Sequence, residues 1–307
     1  MMKSLFAASA IIFFLSARPG FAQWSGCPDR ESPDGQAVLA VDVSQEVTQE
    51  FIDAAKAKNV TTIFRYYDWE ALPGEQNIVH LDQDWEQIPS LCGKVPSCGE
   101  PASEAQRQLV REALRNRKCN KVISKGELDL IHKNKMSVGI VFQHRMSCVR
   151  TWRDTKRASY DADRAIALAR SLGQPVNTAI YFGVDGADQN FKDKDELNEG
   201  KKLIEAYFAT VSAKLRDANY EIGVYGSGLA CRRLRDELKY VKYCWLSMST
   251  GHPESKNYEA KQVSANTLWE LKQCFEKKSM ASTGIGYSPD VLNSSKNEFG
   301  FWPPPSP

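Results

Sequence analysis

Several polar residues stand directly after short apolar runs, where a strand would end and a loop begin. Asp42 follows residues 37–41, and Arg65, Tyr66 and Tyr67 follow residues 61–64. Gln143 follows 137–142, Asp185 closes the run 178–184, and Tyr225 ends 221–225. Asp188 comes three residues after Asp185, Trp245 sits in the run 243–246, Glu270 in 267–271, and Asp290 follows a short run at 284–287. Brought to one mouth, this set suits a sugar. Aromatic faces stack on pyranose rings, an amide and an arginine bond hydroxyl or acyl groups, and carboxylates act as acid, base or nucleophile at a glycosidic bond. The expected catalytic set is therefore Asp185, Asp42, Asp290 and Asp188, and the expected substrate-binding set is Arg65, Tyr67, Gln143, Tyr225, Trp245 and Glu270. Crowded carboxylates should raise the pKa of at least one member, the condition for a proton donor near neutral pH.

Each residue also has a plainer reading. An Asp between strand and helix can serve as a turn former or cap. Arg65 can pair with Asp42 or Asp185 to hold a buried carboxylate. Tyr66, Tyr67 and Trp245 can pack a barrel, and strand alternation can turn Glu270 away from Trp269 and Leu271.

The elements that must position these residues alternate along the chain. The apolar runs read as strands at 37–41, 61–64, 137–142, 178–184, 221–225, 243–246 and 267–271, with a short eighth near 284–287. Helical periodicity lies between them: about 44–58, a short helix opened by the capping-box pattern Ser124-x-x-Glu127, an alanine-rich helix at about 159–172 stopped by Gly173 and Pro175, and a long one ending near Asn219. Leu229, Leu234 and Leu238 mark a further helix. Repeated strand–helix alternation over ~250 residues predicts a TIM-type (β/α)8 barrel, an α/β fold with its chemistry at the carboxyl ends of the strands. An open doubly wound sheet is the alternative, but no glycine loop follows the first strand. The spacing of Gly223, Gly226 and Gly228 does not match a dinucleotide fingerprint, so no cofactor is expected. The stretch at about 70–121 breaks the rhythm and reads as a disulfide-rich insertion after strand two.

Among 307 residues, 42% are hydrophobic and 25% charged, the balance of a folded chain. Residues 1–22 have the layout of a secretory signal peptide: Lys3, an apolar stretch, then Gly20 and Ala22. No later run is long enough for a transmembrane segment. Residues 23–36 form a polar lead, 37–293 the barrel, and 294–307 a Pro-rich tail expected to be an extended strap or disordered end. Without Lys3 and Arg18 the chain carries 38 basic and 38 acidic residues, a balance that argues against a nucleic-acid partner. Its eight cysteines predict four disulfides in a secreted or periplasmic monomer, with Cys92–Cys98 the favoured single pair. Zinc is the competing use, and the scattered histidines and loose cysteine spacing argue against any metal.

The segments Phe64-Arg-Tyr-Tyr67, Val138-Gly-Ile-Val-Phe-Gln143, Ile180-Tyr-Phe-Gly-Val-Asp185 and Ile222-Gly-Val-Tyr-Gly226 resemble, in that order, a secreted glycoside-hydrolase-like domain related to the family 25 lysozymes. The resemblance runs over roughly residues 38–293. It implies a lysozyme-type barrel with Asp42, Asp185 and Asp290 at the acidic strand-end positions, and a closing segment Asp290-Val-Leu-Asn293. Trp269-Glu270 occupies the place where relatives carry Trp-Gln. One position departs: those lysozymes have Asp-x-Glu after strand four, the glutamate being the proton donor, and this chain has Ala187 there, with Asp188 one residue later. Two functions are therefore expected to compete. One is a hydrolase of cell-wall or other extracellular glycan; the other is a non-catalytic glycan- or peptidoglycan-binding protein on a hydrolase scaffold.

Overall fold

The computed structural model describes residues 38–68, 121–143, 152–153, 155–184, 194–248, 255, 258, 269–274, 278–280, 283–293 and 295–306. The signal segment, the polar lead, nearly all of the insertion, the Cys92–Cys98 pair, Asp185 and Asp188 lie outside these residues.

The strands are β1 (Val38–Asp42), β2 (Thr62–Tyr67), β3 (Ser137–Phe142), β4 (Ala179–Gly183), β5 (Glu221–Gly226), β6 (Tyr243–Ser247), β7 (Leu271–Gln273), β8 (Lys278–Ser279) and β9 (Gly286–Leu292). β1 to β7 pair in sequence order, all parallel, and β9 lies antiparallel to both β7 and β1, closing an eight-stranded barrel. Two expectations change here. The seventh strand begins at Leu271 rather than ending there. The eighth barrel strand runs to Leu292 and enters antiparallel from the hairpin with β8, so Asp290 lies within a strand instead of after one.

The helices are α1 (Gln49–Lys56), α2 (Lys125–Lys133), α3 (Arg157–Leu172), α4 (Lys194–Asp217) and the short α5 (Gly228–Cys231), which continues as a π-helical segment, Arg232–Glu237. α1 starts later than the apolar spacing suggests because the Thr48 hydroxyl caps it, accepting from Phe51 N. The stop signals act as read: Gly173 takes φ +79° after α3, and Asn219 takes φ +62° after α4.

Strand alternation sorts the core into two parts. Outward residues such as Ile63, Ile140, Phe182 and Val224 meet the helices, while Ala40, Phe64, Tyr181, Tyr243, Trp245 and Leu271 fill the barrel. Large rings inside require small neighbours. A Cβ on Gly139 would lie 2.4 Å from the Phe64 ring, and one on Gly223 would lie 2.3 Å from the Tyr181 ring. Gly223 thus serves packing, where its place in a glycine-rich segment had suggested a tight turn. The C-terminal segment seals the amino end of the barrel: Tyr181 OH donates to Phe299 O (2.7 Å), Ala179 N donates to Gly300 O (2.7 Å), and Trp302 pairs with Val138.

Cys231 and Cys244 form a disulfide that ties α5 to β6. Cys274 is also disulfide-bonded, and no cysteine among the described residues is free. Among the described residues, no helix is long and apolar enough to cross a membrane.

Candidate functional site

At the carboxyl end of the barrel, one step above the aromatic filling, inward positions on several strands become polar. Asp42 ends β1 and is half-buried. Its Oδ1 accepts a hydrogen bond from Tyr66 OH on β2 (2.6 Å), and its Oδ2 accepts from Gln273 Nε2 on β7 (3.1 Å). Gln273 Oε1 in turn accepts from Tyr225 OH on β5 (2.6 Å), and Ser247 Oγ on β6 lies 3.2 Å from that hydroxyl. The amide of Gln273 is therefore oriented from both sides. On the far side of Tyr66, Lys121 Nζ sits 4.5 Å from the ring centroid and donates to Gln143 Oε1 (2.9 Å). The result is a rim in which a carboxylate is aimed by two donors and a cation stands close by.

Directly beneath, the indole Nε1 of Trp245 donates to Asp290 Oδ1 (2.8 Å). Asp290 is fully buried and its Oδ2 has no hydrogen-bond partner. Burial first, and then the negative charge of Asp42, push its carboxyl well above the ordinary carboxylate range. Trp245 is itself 1% exposed, wedged between Phe64 (4.2 Å between centroids) and Tyr225 (4.8 Å).

The predicted set divides accordingly. Asp42, Gln143 and Tyr225 meet at the rim, with Trp245 and Asp290 in the layer below. Arg65 and Tyr67 lie on the outer face of β2, because the strand continues to Tyr67 and alternation points Phe64 and Tyr66 inward. The Arg65 guanidinium is bound by Glu127 of α2 (2.6 and 3.1 Å) and by Val43 O (2.5 Å). Glu127 also accepts from Val47 N (2.9 Å), so the pair pins the loop that follows Asp42. The capping box is correspondingly half made: Ser124 Oγ accepts from Glu127 N, while the glutamate side chain turns to Arg65. Tyr67 OH donates to Gln174 Oε1 (2.9 Å). Glu270 sits at the opposite, amino end of β7, where it accepts from Cys244 N (2.6 Å) and Arg235 Nη1 (2.7 and 2.9 Å). It is buried there, outside the barrel filling and against Arg235 of the π-helical segment. Asp185 and Asp188, outside the described residues, follow Val184, whose N donates to Tyr225 O (2.7 Å).

Sequence reading missed Gln273, Lys121 and Ser247. Gln273 was accessible to period-two counting from Leu271 had the strand been carried forward. Lys121 carried no signal, since it ends the insertion rather than following an apolar run. Among the described residues, no three His, Cys, Asp or Glu side chains converge as a metal-ligand set.

An eight-stranded α/β barrel with carboxyl groups at and below its carboxyl-end rim is a glycoside-hydrolase-like scaffold. The chain belongs to the Rv2525c-like, glycoside hydrolase-like domain family, whose model matches residues 107–286. It is 34% identical over 99 residues to the uncharacterized protein YbfG of Bacillus subtilis, a stretch covering 32% of this chain and 13% of YbfG, so the match reaches a small part of that relative. Among solved structures it is similar to an uncharacterized B. stearothermophilus protein (TM-score 0.46, 12% identity, 83% of this chain and 96% of that one). It is also similar to a GH18 chitinase from Pseudoalteromonas aurantia (TM-score 0.41, 7% identity, 75% of each chain).

Proposed function

We propose that the protein is exported, takes a cell-wall or other extracellular glycan into the barrel mouth, and cleaves it by carboxylate chemistry. The observation that carries this reading is the network Tyr225–Gln273–Asp42–Tyr66, which fixes one carboxylate at the rim with both oxygens bonded. A carboxylate receiving two hydrogen bonds is held in a fixed orientation from which it can face an oxocarbenium-like state. Asp185, next along the chain from Val184, is the proton donor, assisted by Asp188. Asp290, whose carboxyl is shifted toward its neutral form by burial and by Asp42, lies in the layer below the rim. Gln143 and Tyr225 bond sugar hydroxyls at the rim. Arg65 acts from behind, through its hold on the loop after Asp42, while Tyr67, Trp245 and Glu270 shape the barrel that carries the site. The likeness of the strand-end carboxylates to those of family 25 lysozymes supports the same assignment.

A second reading is favoured by one specific residue. Ala187 stands where those lysozymes carry the proton-donating glutamate, which suits a glycan-binding protein that keeps the cleft without the acid.

Purified protein incubated with peptidoglycan and with chitin oligomers separates the two. The hydrolase reading expects new reducing ends, lost by ~10²–10⁴-fold in Asp185→Asn, with thermal stability and glycan retention preserved. Retention without turnover in the wild type, together with gain of turnover in Ala187→Glu, establishes the binding reading instead. Neither turnover nor retention overturns both.

A further inference from the structure

Beside the mouth, a cleft of about 550 Å³ runs between α4 and the α5–π segment. This volume lies within the ~300–1,000 Å³ of small-molecule sites. One wall is a single face of α4, contributing Asn198, Lys201, Lys202 and Glu205 at helical spacing. The opposite wall comes from Leu229 onward, where the π-helical turn swings Arg233, Leu234 and Glu237 to the same side. Such insertions recur at functional sites.

The lining has two chemically distinct parts. Its floor is aliphatic: Val184, Ile204, Ala230 and Leu234 are buried, and Leu229 is half-buried. Among the described residues no aromatic ring lines it, so these supply no flat platform on which a pyranose stacks. Its rim is charged. Arg233 bridges the cleft to Glu205 (2.6 and 3.2 Å) and also holds Glu237 (2.7 Å), which Arg232 approaches to 3.5 Å, so both acidic side chains are paired with arginine. Lys201 and Lys202 form no ion pair among the described residues, and the described lining carries one excess positive charge.

We propose that this cleft is a second ligand site, separate from the glycan mouth, that takes an acyl chain ending in an anionic head. The chain lies on the aliphatic floor and the head meets Lys201 and Lys202. Burying methylenes supplies affinity, and the two ammonium groups select the anion over a neutral alcohol of the same length.

The test is calorimetric titration of the full chain with decanoate below its micelle concentration, with decanol as the uncharged control. A second arm measures co-sedimentation with dioleoylphosphatidylglycerol vesicles, which separates a free acid from an acyl anion held in a membrane. Saturable one-to-one binding of decanoate is expected, weakened about tenfold or more in Lys201→Glu/Lys202→Glu. Leu229→Trp, which fills a half-exposed position of the cleft, should abolish it while circular dichroism and the thermal midpoint stay unchanged. Vesicle binding lost in Leu229→Trp assigns the membrane source. Absence of saturable binding in both arms overturns the proposal. So does equal affinity for decanol and decanoate, or vesicle binding that Leu229→Trp leaves intact.

Discussion

Trp245 donates its indole N–H to Asp290 across 2.8 Å, and this is the hydrogen bond that holds a carboxyl group inside the sealed part of the barrel. The second oxygen of Asp290 has no hydrogen-bond partner, and its pKa is raised by burial and by Asp42. The folded chain therefore binds a proton that the unfolded chain releases near its ordinary value of 3.8.

The sign of the pH dependence follows. Asp290 contributes its full stability below about pH 4, and this contribution falls as pH rises toward the raised native value, with a limiting slope of ~1.4 kcal/mol per pH unit. Asp290→Asn keeps the shape and removes the titration. Thermal midpoints of wild type and Asp290→Asn, measured from about pH 4 to 8, should shift in favour of the variant as pH rises. A difference independent of pH would show that Asp290 is not held protonated.

The Arg65–Glu127 pair is fully buried, with side chains 0% and 1% exposed. Removing one partner strands a charge, so Glu127→Gln should cost ~3–5 kcal/mol in denaturant unfolding, and Arg65→Met/Glu127→Leu should recover most of it. Because the pair also bonds Val43 O and Val47 N, the single variant should loosen the loop after Asp42 and speed its amide exchange. A cost under ~1 kcal/mol would contradict this role.

Gly223 and Gly126 make a matched test of the glycine argument. A Cβ at 223 meets the Tyr181 ring at 2.3 Å, and that ring is hemmed by Phe64 and Trp245 and tied to Phe299 O. Gly223→Ala should cost ~1–3 kcal/mol by overpacking. Gly126, in α2, has nothing nearer than Ser124 Oγ at 4.0 Å, and Gly126→Ala should stabilise by ~0.5–1 kcal/mol. Equal effects of the two changes would refute the packing explanation.

Most of the barrel was legible because buried parallel strands are short continuous apolar runs, and β2 to β6 each contain or overlap such a run. The closing strand was hard to read for the same reason. The Gly286–Leu292 segment carries Ser288, Pro289 and Asp290, which interrupt its apolar pattern, and it is antiparallel, so no helix announces it. Side-chain direction was the larger loss. Arg65 and Asp42 both read as strand-end residues, yet β2 carries Arg65 in its interior and points it to a helix while Asp42 ends β1 and joins the rim, because direction depends on where each strand starts and ends. Glu270 shows the same sensitivity: moving β7 forward by a few residues carries it to the far end of the barrel and puts Gln273 at the mouth.

Under the proposed function, a glycan is engaged at the rim where Asp42 is held by Tyr66 and Gln273. The measurement is reducing-end release from peptidoglycan and chitin oligomers by wild type and by Asp42→Asn, with glycan retention followed in parallel. Release by the wild type is expected, with a loss of ~10²–10³-fold in the variant and an unchanged fold. Release and retention that are identical in Asp42→Asn and wild type would contradict it.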